Sequence, residues 1–564
     1  MRAHCVKGPE FSVRPASYKG DIEWTERGNA GEHRLPACGV RQLAERMAAC
    51  APQKHADDHP MAPESAIRAR DHNGNSRCAA TLLWDNQRMS RLPSAVLVVL
   101  VWAAIYLPAL GSFEIKGEEG RRILPGMAML ESGNYLVPTV GGAAYYRKPP
   151  LVNWLVAASF KLFGHRNEWT ARTPSVVCVL VVALVFITVG RGSIGARGST
   201  IAALVWLSNF GMIEKGRLIE IEALYISLCG LAIILWLSWW EQKRSPWLTW
   251  TVPWICLGLG WLAKGPTLLL FFYPVVVAVL WRDKQWRYLL HPAHLVGCFI
   301  MLGIFALWAV PFLQIESSTL VMRKWSRQYV GRVTGEFFRF PNWFETLSKP
   351  LIYFLPWLVF VPWLRFHRFE EPKQRELARA LAWSVIIPFL LINLTPGVAP
   401  RYCLPLLVPF CMLLGLSFAE HAFAPLPWLK QPPELLWSRV GQPLVAFVAT
   451  AVLIGYPLAA VVIFKHRPKV KNVAEKINSV VPRNEILYAV DPNYQPFFFY
   501  VNAPIRYVSS VAELPPDTHY FVVLPEDRDN ALTASQWRPR RARLLLPLTD
   551  YRHETVILFV VENS

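Results

Sequence analysis

Charge is scarce in this 564-residue chain: Asp, Glu, Lys and Arg together make up 18%, against about 25% in soluble domains. With 53% hydrophobic residues gathered in long runs, that scarcity excludes a soluble multidomain protein and a disordered chain. Cysteine is absent after Cys411, so no disulfide framework builds the C-terminal region. No C-x-x-C pair occurs, which removes the commonest zinc spacing. No Ser/His/Asp or Cys/His arrangement stands out as a covalent nucleophile, and there is no solenoid-period repeat or low-complexity tract.

What is present points to a membrane. The 24 Trp and 45 Pro suit interfacial aromatic belts and interrupted helices. The formal charge of +19 comes mostly from Lys and Arg that flank apolar runs, where they act as topology signals. A nucleic-acid partner is therefore not expected. The chain reads as a polytopic α-helical membrane protein.

Residues 1–88 stand apart. They carry Cys5, Cys38, Cys50 and Cys78 but no apolar run, no sustained period and no signal-peptide core. The expectation is a disordered leader or, in preference, a true start at Met89. Apolar stretches of about 17–25 residues, enough to cross a bilayer, fall near 93–111, 172–190, 198–214, 222–240, 247–263, 266–281, 292–313, 350–365, 379–395, 402–419 and 443–464. That predicts about eleven to thirteen spans, the uncertain run being 151–163, which is short and reads as an interfacial helix. The basic loops 191–197, 241–244, 281–287 and 365–379 are then cytoplasmic. The loops 112–171, 214–221, 264–266, 314–349 and 395–401 are external, as is the tail. Within 465–564, short β-branched or aromatic runs at 485–490, 496–501, 519–524 and 555–561, with an amphipathic segment at 473–480, predict a small external α/β domain. The transmembrane domain is 89–464.

Ionisable residues at a membrane edge are costly and therefore site candidates. Glu118 and Glu119 are adjacent, with Arg121 and Arg122 just beyond, and Tyr145-Tyr146-Arg147-Lys148-Pro149-Pro150 follows. Glu220 and Glu222 open the 222–240 stretch, with Arg217 before them. Lys264 sits in the turn Ala263-Lys264-Gly265-Pro266, and Arg401-Tyr402 opens another stretch. The 314–349 segment interleaves Arg323, Lys324, Arg327, Arg332 and Arg339 with Trp325, Tyr329 and Phe337. Each has a bland reading: a solvated loop, acids welcomed by a helix N-terminus, a snorkelling lysine, interfacial anchors. Under the basic-loop topology, however, all of them fall on one face.

The order of these motifs resembles the lipid-linked-sugar glycosyltransferases with the C-type membrane fold. Within that group it is most similar to the aminoarabinose transferases acting on lipid A and to the protein O-mannosyltransferases. The residues that carry the likeness are Glu118-Glu119-Gly120-Arg121-Arg122, Glu131-Ser132-Gly133-Asn134, the Tyr145–Pro150 segment, and Asn167-Glu168-Trp169 with Arg172-Thr173-Pro174-Ser175. They continue with Arg217-Leu218 and Glu222-Ala223-Leu224, Leu262-Ala263-Lys264-Gly265-Pro266, Leu355-Pro356-Trp357, and Tyr402-Cys403-Leu404-Pro405-Leu406. Glu118 and Glu222 stand where the family usually has Asp, and Gly120 where it has Pro. Arg147 replaces an acid that contributes to a metal site in the aminoarabinose branch, so a divalent metal is disfavoured and no cofactor is expected.

The resemblance implies transfer of a sugar from a polyprenyl-phosphate carrier to a lipid, protein or glycan acceptor, on the periplasmic side of the inner membrane. It implies Glu118 as base, with Glu222 assisting it or binding the acceptor. Lys148, Arg121, Lys264 and Arg401 would face the donor phosphate, with Glu119, Glu220, Arg217 and Tyr402 as further site candidates. A single displacement would invert the anomeric centre. A flippase for lipid-linked sugars and a non-catalytic membrane scaffold remain as alternative readings.

Overall fold

The structure, a computed structural model, describes residues 91–334, 340–395, 398–426, 433–464 and 470–563. The reading of 1–88 and the start at Met89 lie outside these residues, as do Phe337 and Arg339 and the side chains of Tyr329 and Arg332.

The described chain opens with α1 (Arg91–Tyr106), then α2 (Gly120–Ser132), a two-residue hairpin of β1 (Thr139–Val140) and β2 (Ala143–Ala144), and α3 (Leu151–Phe163). Segment 112–171 is thus mostly folded. At 13 residues α3 is too short to cross a bilayer, as its length predicted. Helix α4 (Glu168–Val185) continues through a π-turn into α5 (Arg191–Leu207), and α6 (Phe210–Gly216) precedes α7 (Ile221–Glu241). Then come α8 (Pro246–Ala263), α9 (Leu269–Asp283), α10 (Pro292–Ile315), α11 (Ser318–Val333), α12 (Phe340–Tyr353), α13 (Pro372–Leu394), α14 (Leu407–Ala419) and α15 (Gln442–Ala459).

Among the described residues, seven helices are long and apolar enough to cross a membrane. One of these, Glu168–Leu207, carries two of the expected stretches, because Ile194 and Gly195 leave helical geometry and bend it. Helices α1 and α8 fall on two further stretches. One expected span is absent: α12 ends at Tyr353, and 357–363 is a 3-10 turn. Pro350, Pro356 and Pro362 each remove a backbone donor, so no continuous helix forms there.

Helix α7 is buried along most of its length and α14 almost all round, while α10 points Leu295, Phe299 and Leu307 outward at 52%, 72% and 80% exposure. So many large apolar side chains facing out fit acyl chains and not water. The chain is a multi-pass membrane protein.

The tail begins with α16 (Lys471–Asn478), close to the amphipathic segment expected. Strands β3 (Leu487–Val490), β4 (Ile505–Val508), β5 (Tyr520–Val523), β6 (Arg541–Thr549) and β7 (Thr555–Glu562), with α17 (Arg528–Thr533) between β5 and β6, form one mixed sheet in the order β4-β3-β5-β7-β6. β3 pairs in parallel with β4 and β5; β7 is antiparallel to β5 and β6. The run at 496–501 is a 3-10 turn and not a strand. Pro496 starts it, and Phe497, Phe498 and Phe499 are buried, with Phe499 stacked on Phe160 of α3. The aromatic content that looked like a strand fastens the tail domain to the membrane domain.

Candidate functional site

The two adjacent carboxylates of the first segment separate. Glu119 is 3% exposed, and its two oxygens accept from Nε and Nη2 of Arg172, both at 2.8 Å. One of them also accepts from the Ile219 backbone N–H at 3.1 Å. Nη1 of Arg172 donates to the carbonyls of Leu110 and Phe113 at 2.7 and 2.9 Å. This pair ties α4 to the turn before α2 and leaves Glu119 no role at an open surface.

Glu118 stays partly open. Its Oε1 lies 2.7 Å from Arg121 Nη1 and its Oε2 3.0 Å from Arg122 Nη2. These are i,i+3 and i,i+4 pairs across the start of α2, the spacing at which a helix brings side chains together. Arg122 faces inward, donates to the Tyr145 hydroxyl at 3.3 Å and lies over its ring. The carbonyl of Arg122 accepts from Asn153 Nδ2 of α3 at 2.8 Å. Burial works against the Arg122 charge, but Tyr145, Glu118 and the carboxylate of Glu222 hold it above its ordinary value. Arg122 therefore pairs with Glu118 and is also stabilised electrostatically by Glu222. It lies outside the expected set of ligating residues, although the Glu118-x-x-x-Arg122 spacing was visible in the sequence.

Glu222 lies in the first turn of α7, where the helix dipole favours a negative charge. Lys264 Nζ is 3.3 Å from its Oε1. Arg401 Nε is 3.1 Å from the same oxygen, an ion-pair contact without hydrogen-bond geometry. Local sequence places both cations. Lys264 caps α8, Gly265 follows at φ +144°, and Pro266 begins the next turn. Only glycine adopts that φ without strain, so the Lys-Gly-Pro order reverses the chain at the lysine. Arg401 follows Pro400 in the 3-10 turn Pro400–Leu406 that leads into α14. The Lys264 ammonium also lies 4.5 Å from the Tyr402 ring centroid and 5.0 Å from that of Tyr225.

The other expected residues have surroundings of their own. Glu220 pairs with Lys215 at 3.2 Å, and burial holds its carboxyl above the usual range although Lys215 pulls the other way. Lys148 is half-buried in the segment entering α3, and Arg147 is exposed. Arg217 points elsewhere: it donates to the carbonyls of Ile105 and Pro108 and lies over Tyr456 of α15. It holds α1 and α15 together rather than joining the centre. Tyr146 donates to Glu316 at 2.6 Å, which pushes the phenol up to about 12.

Two acids thus face four cations: Glu118 and Glu222 against Arg121, Arg122, Lys264 and Arg401. Nε of Arg122 is buried without an acceptor among the described residues, and Nε of Arg401 meets Glu222 as an ion pair without hydrogen-bond geometry. The centre has spare positive charge and a spare donor, which suits an anionic group. Both acids already face cations, and among the described residues no three His, Cys, Asp or Glu side chains converge.

The tail domain reaches this centre. Tyr551 accepts from the Gly117 N–H at 2.7 Å, the Tyr494 hydroxyl donates to the Gly117 carbonyl, and Arg121 lies over the Tyr494 ring. A Cβ on Gly120 would sit 2.3 Å from the Tyr494 hydroxyl, so only glycine permits the approach. Tyr494 and Tyr551 are site-supporting residues that no motif announced.

Residues 147–310 match the family described as dolichyl-phosphate-mannose-protein mannosyltransferase. Over 342 residues the chain is 27% identical to the undecaprenyl phosphate-alpha-4-amino-4-deoxy-L-arabinose arabinosyl transferase of Pseudomonas aeruginosa strain LESB58, covering 59% of this chain and 61% of that protein. A second enzyme of that name, from Proteus mirabilis, is 26% identical over 348 residues, covering 58% of this chain and 60% of that protein. The chain thus spans about three-fifths of the length of these relatives. Its fold is that of ArnT from Cupriavidus metallidurans in a crystal structure bound to undecaprenyl phosphate, with a TM-score of 0.61 at 17% identity, covering 83% of this chain and 97% of that one. The C-type membrane fold expected from the order of the motifs is the fold observed.

Proposed function

We propose that the protein is a membrane glycosyltransferase that moves a sugar from a polyprenyl-phosphate carrier to a hydroxyl or phosphate acceptor, on the periplasmic side of the inner membrane. The observation that carries this reading is the excess of guanidinium and ammonium groups around Glu118 and Glu222, with the buried Nε of Arg122 left without an acceptor among the described residues. A phosphate leaving group needs charge stabilisation more than protonation, and Lys264, Arg401 and Arg122 supply it. The names of the relatives and the undecaprenyl phosphate bound to ArnT support the donor class.

In the reaction, the acceptor oxygen attacks the anomeric carbon as the bond from that carbon to the carrier phosphate breaks. The carrier phosphate leaves with the bonding electron pair, and where the acceptor is a hydroxyl its proton passes to Glu118. Two of the four lone-pair positions of a carboxylate face Arg121 and Arg122, which leaves two for the acceptor. Glu222 keeps Lys264 and Arg401 in position. One displacement inverts the anomeric centre.

The test supplies purified full-length protein with a polyprenyl-phosphate sugar labelled in the sugar, together with lipid A, glycoprotein and polysaccharide fractions. Label moving into one fraction supports the reading. Transport of intact donor across a vesicle without any transfer would replace it with the flippase.

A further inference from the structure

Helix α7 links the centre to a second polar cluster. Glu222 lies in its first turn and Glu241 is its last residue, so about 28 Å separates them at ~1.5 Å per residue. At the Glu241 end, the ends of α7, α8, α9 and α13 surround a cavity of about 530 Å3 walled by Trp240, Trp250, Lys243, Arg244, Arg282 and Lys373 among others. The acids here are spoken for. Glu241 accepts from Arg282 Nη2 and lies 3.0 Å from Lys373 Nζ. Asp283 accepts from Arg282 Nε at 2.7 Å and from Trp240 Nε1 at 2.7 Å. Four cations thus line the wall against two carboxylates, and Lys243 and Arg244 are exposed.

Two donors are left over. Arg282, with 9% of its side chain exposed, has no acceptor for Nη1 among the described residues, and neither has Nε1 of Trp250. A buried donor without a partner is costly. Arg282 also ends a second cavity, of about 680 Å3, that runs between α9 and α13. Its walls are mostly apolar, with the Glu376–Arg379 ion pair among them: Leu270, Val277, Trp281, Trp383 and Ile387 are 39–72% exposed.

We propose that this end of the bundle binds an anionic bilayer phospholipid, its phosphate against Arg282, Lys243 and Arg244 and one acyl chain in the α9–α13 groove. The net positive wall matches a phosphate, and Arg282 lines both cavities, so the groove continues from the same arginine. The basic 241–244 and 281–287 segments make this the cytoplasmic leaflet. The inference does not depend on the sugar-transfer reading.

Native mass spectrometry of the full-length protein, titrated with phosphatidylglycerol and with phosphatidylcholine of the same chains, tests it. Wild type should retain phosphatidylglycerol at least tenfold more tightly. Lys243→Gln with Arg244→Gln, on the exposed loop and clear of the buried ion pairs, should cost about fivefold per charge, on the order of 25-fold together. Trp383→Ala should weaken the lipid but leave any binding of inorganic phosphate unchanged. Equal retention of the two lipids, or affinity unmoved by the double substitution, would overturn the proposal. So would displacement of the lipid by millimolar inorganic phosphate, which would reduce the site to a plain anion pocket.

Discussion

Arg172 holds both carboxylate oxygens of Glu119 at 2.8 Å, and that pairing decides which of two adjacent acids is free for chemistry. Glu119 is spent on joining α4 to the turn before α2; Glu118 is left half-open beside Arg121 and Arg122.

The pair is a stability element. Arg172→Met leaves a buried carboxylate unmatched, and breaking such a pair by removing one partner costs about 3–5 kcal/mol. The expected outcome is a large drop in thermal stability in detergent and poor recovery of folded protein. Glu118→Gln should melt close to wild type. Equal melting of Arg172→Met and wild type would show that the pair carries no such load.

Gly265→Ala probes the lysine turn. A φ of +144° strains any side chain by about 1–3 kcal/mol, and the turn relaxes most readily by moving Lys264 away from Glu222. Transfer should fall with KM and kcat both affected, because the carrier phosphate is charged in ground and transition states alike. Lys264→Ala should reproduce the defect without the strain, so a normal Lys264→Ala enzyme would remove this lysine from the site.

Much of this geometry was legible in the sequence. The order of motifs announced the fold, and the Lys-Gly-Pro turn and Glu222 at a helix start announced one half of the centre. What stayed hidden depends on tertiary contact. Glu118 and Glu119 are indistinguishable until Arg172, far along the chain, selects one of them. Arg217 resembles a ligand until Tyr456 and the carbonyls of Ile105 and Pro108, at and just beyond the end of α1, take it up. The 496–501 run has strand-like residues, but Pro496 and the apolar side of α3 turn it into a docking element.

Tyr494→Phe tests the hold of the tail on the centre. It removes one hydrogen bond to Gly117, worth about 0.5–1.5 kcal/mol, while Tyr551 and the sheet remain. Turnover should fall by roughly two- to tenfold with donor KM nearly unchanged and the tail domain still protease-resistant. A loss of donor binding alone would mean that Tyr494 touches the carrier rather than positioning Glu118.

Chelation separates this centre from a metal-dependent one. With Arg147 exposed and both acids facing cations, transfer should survive exhaustive EDTA treatment. Activity abolished by EDTA and restored by zinc would require ligands other than these residues.

The central claim, that Glu118 orients and deprotonates the acceptor, is tested most directly by following release of sugar from a labelled polyprenyl-phosphate donor by purified Glu118→Gln protein. The amide keeps size and polarity but cannot accept the proton, so turnover should fall by roughly 100-fold or more while melting temperature and donor binding hold. Near-wild-type turnover in a well-folded Glu118→Gln variant would contradict the account.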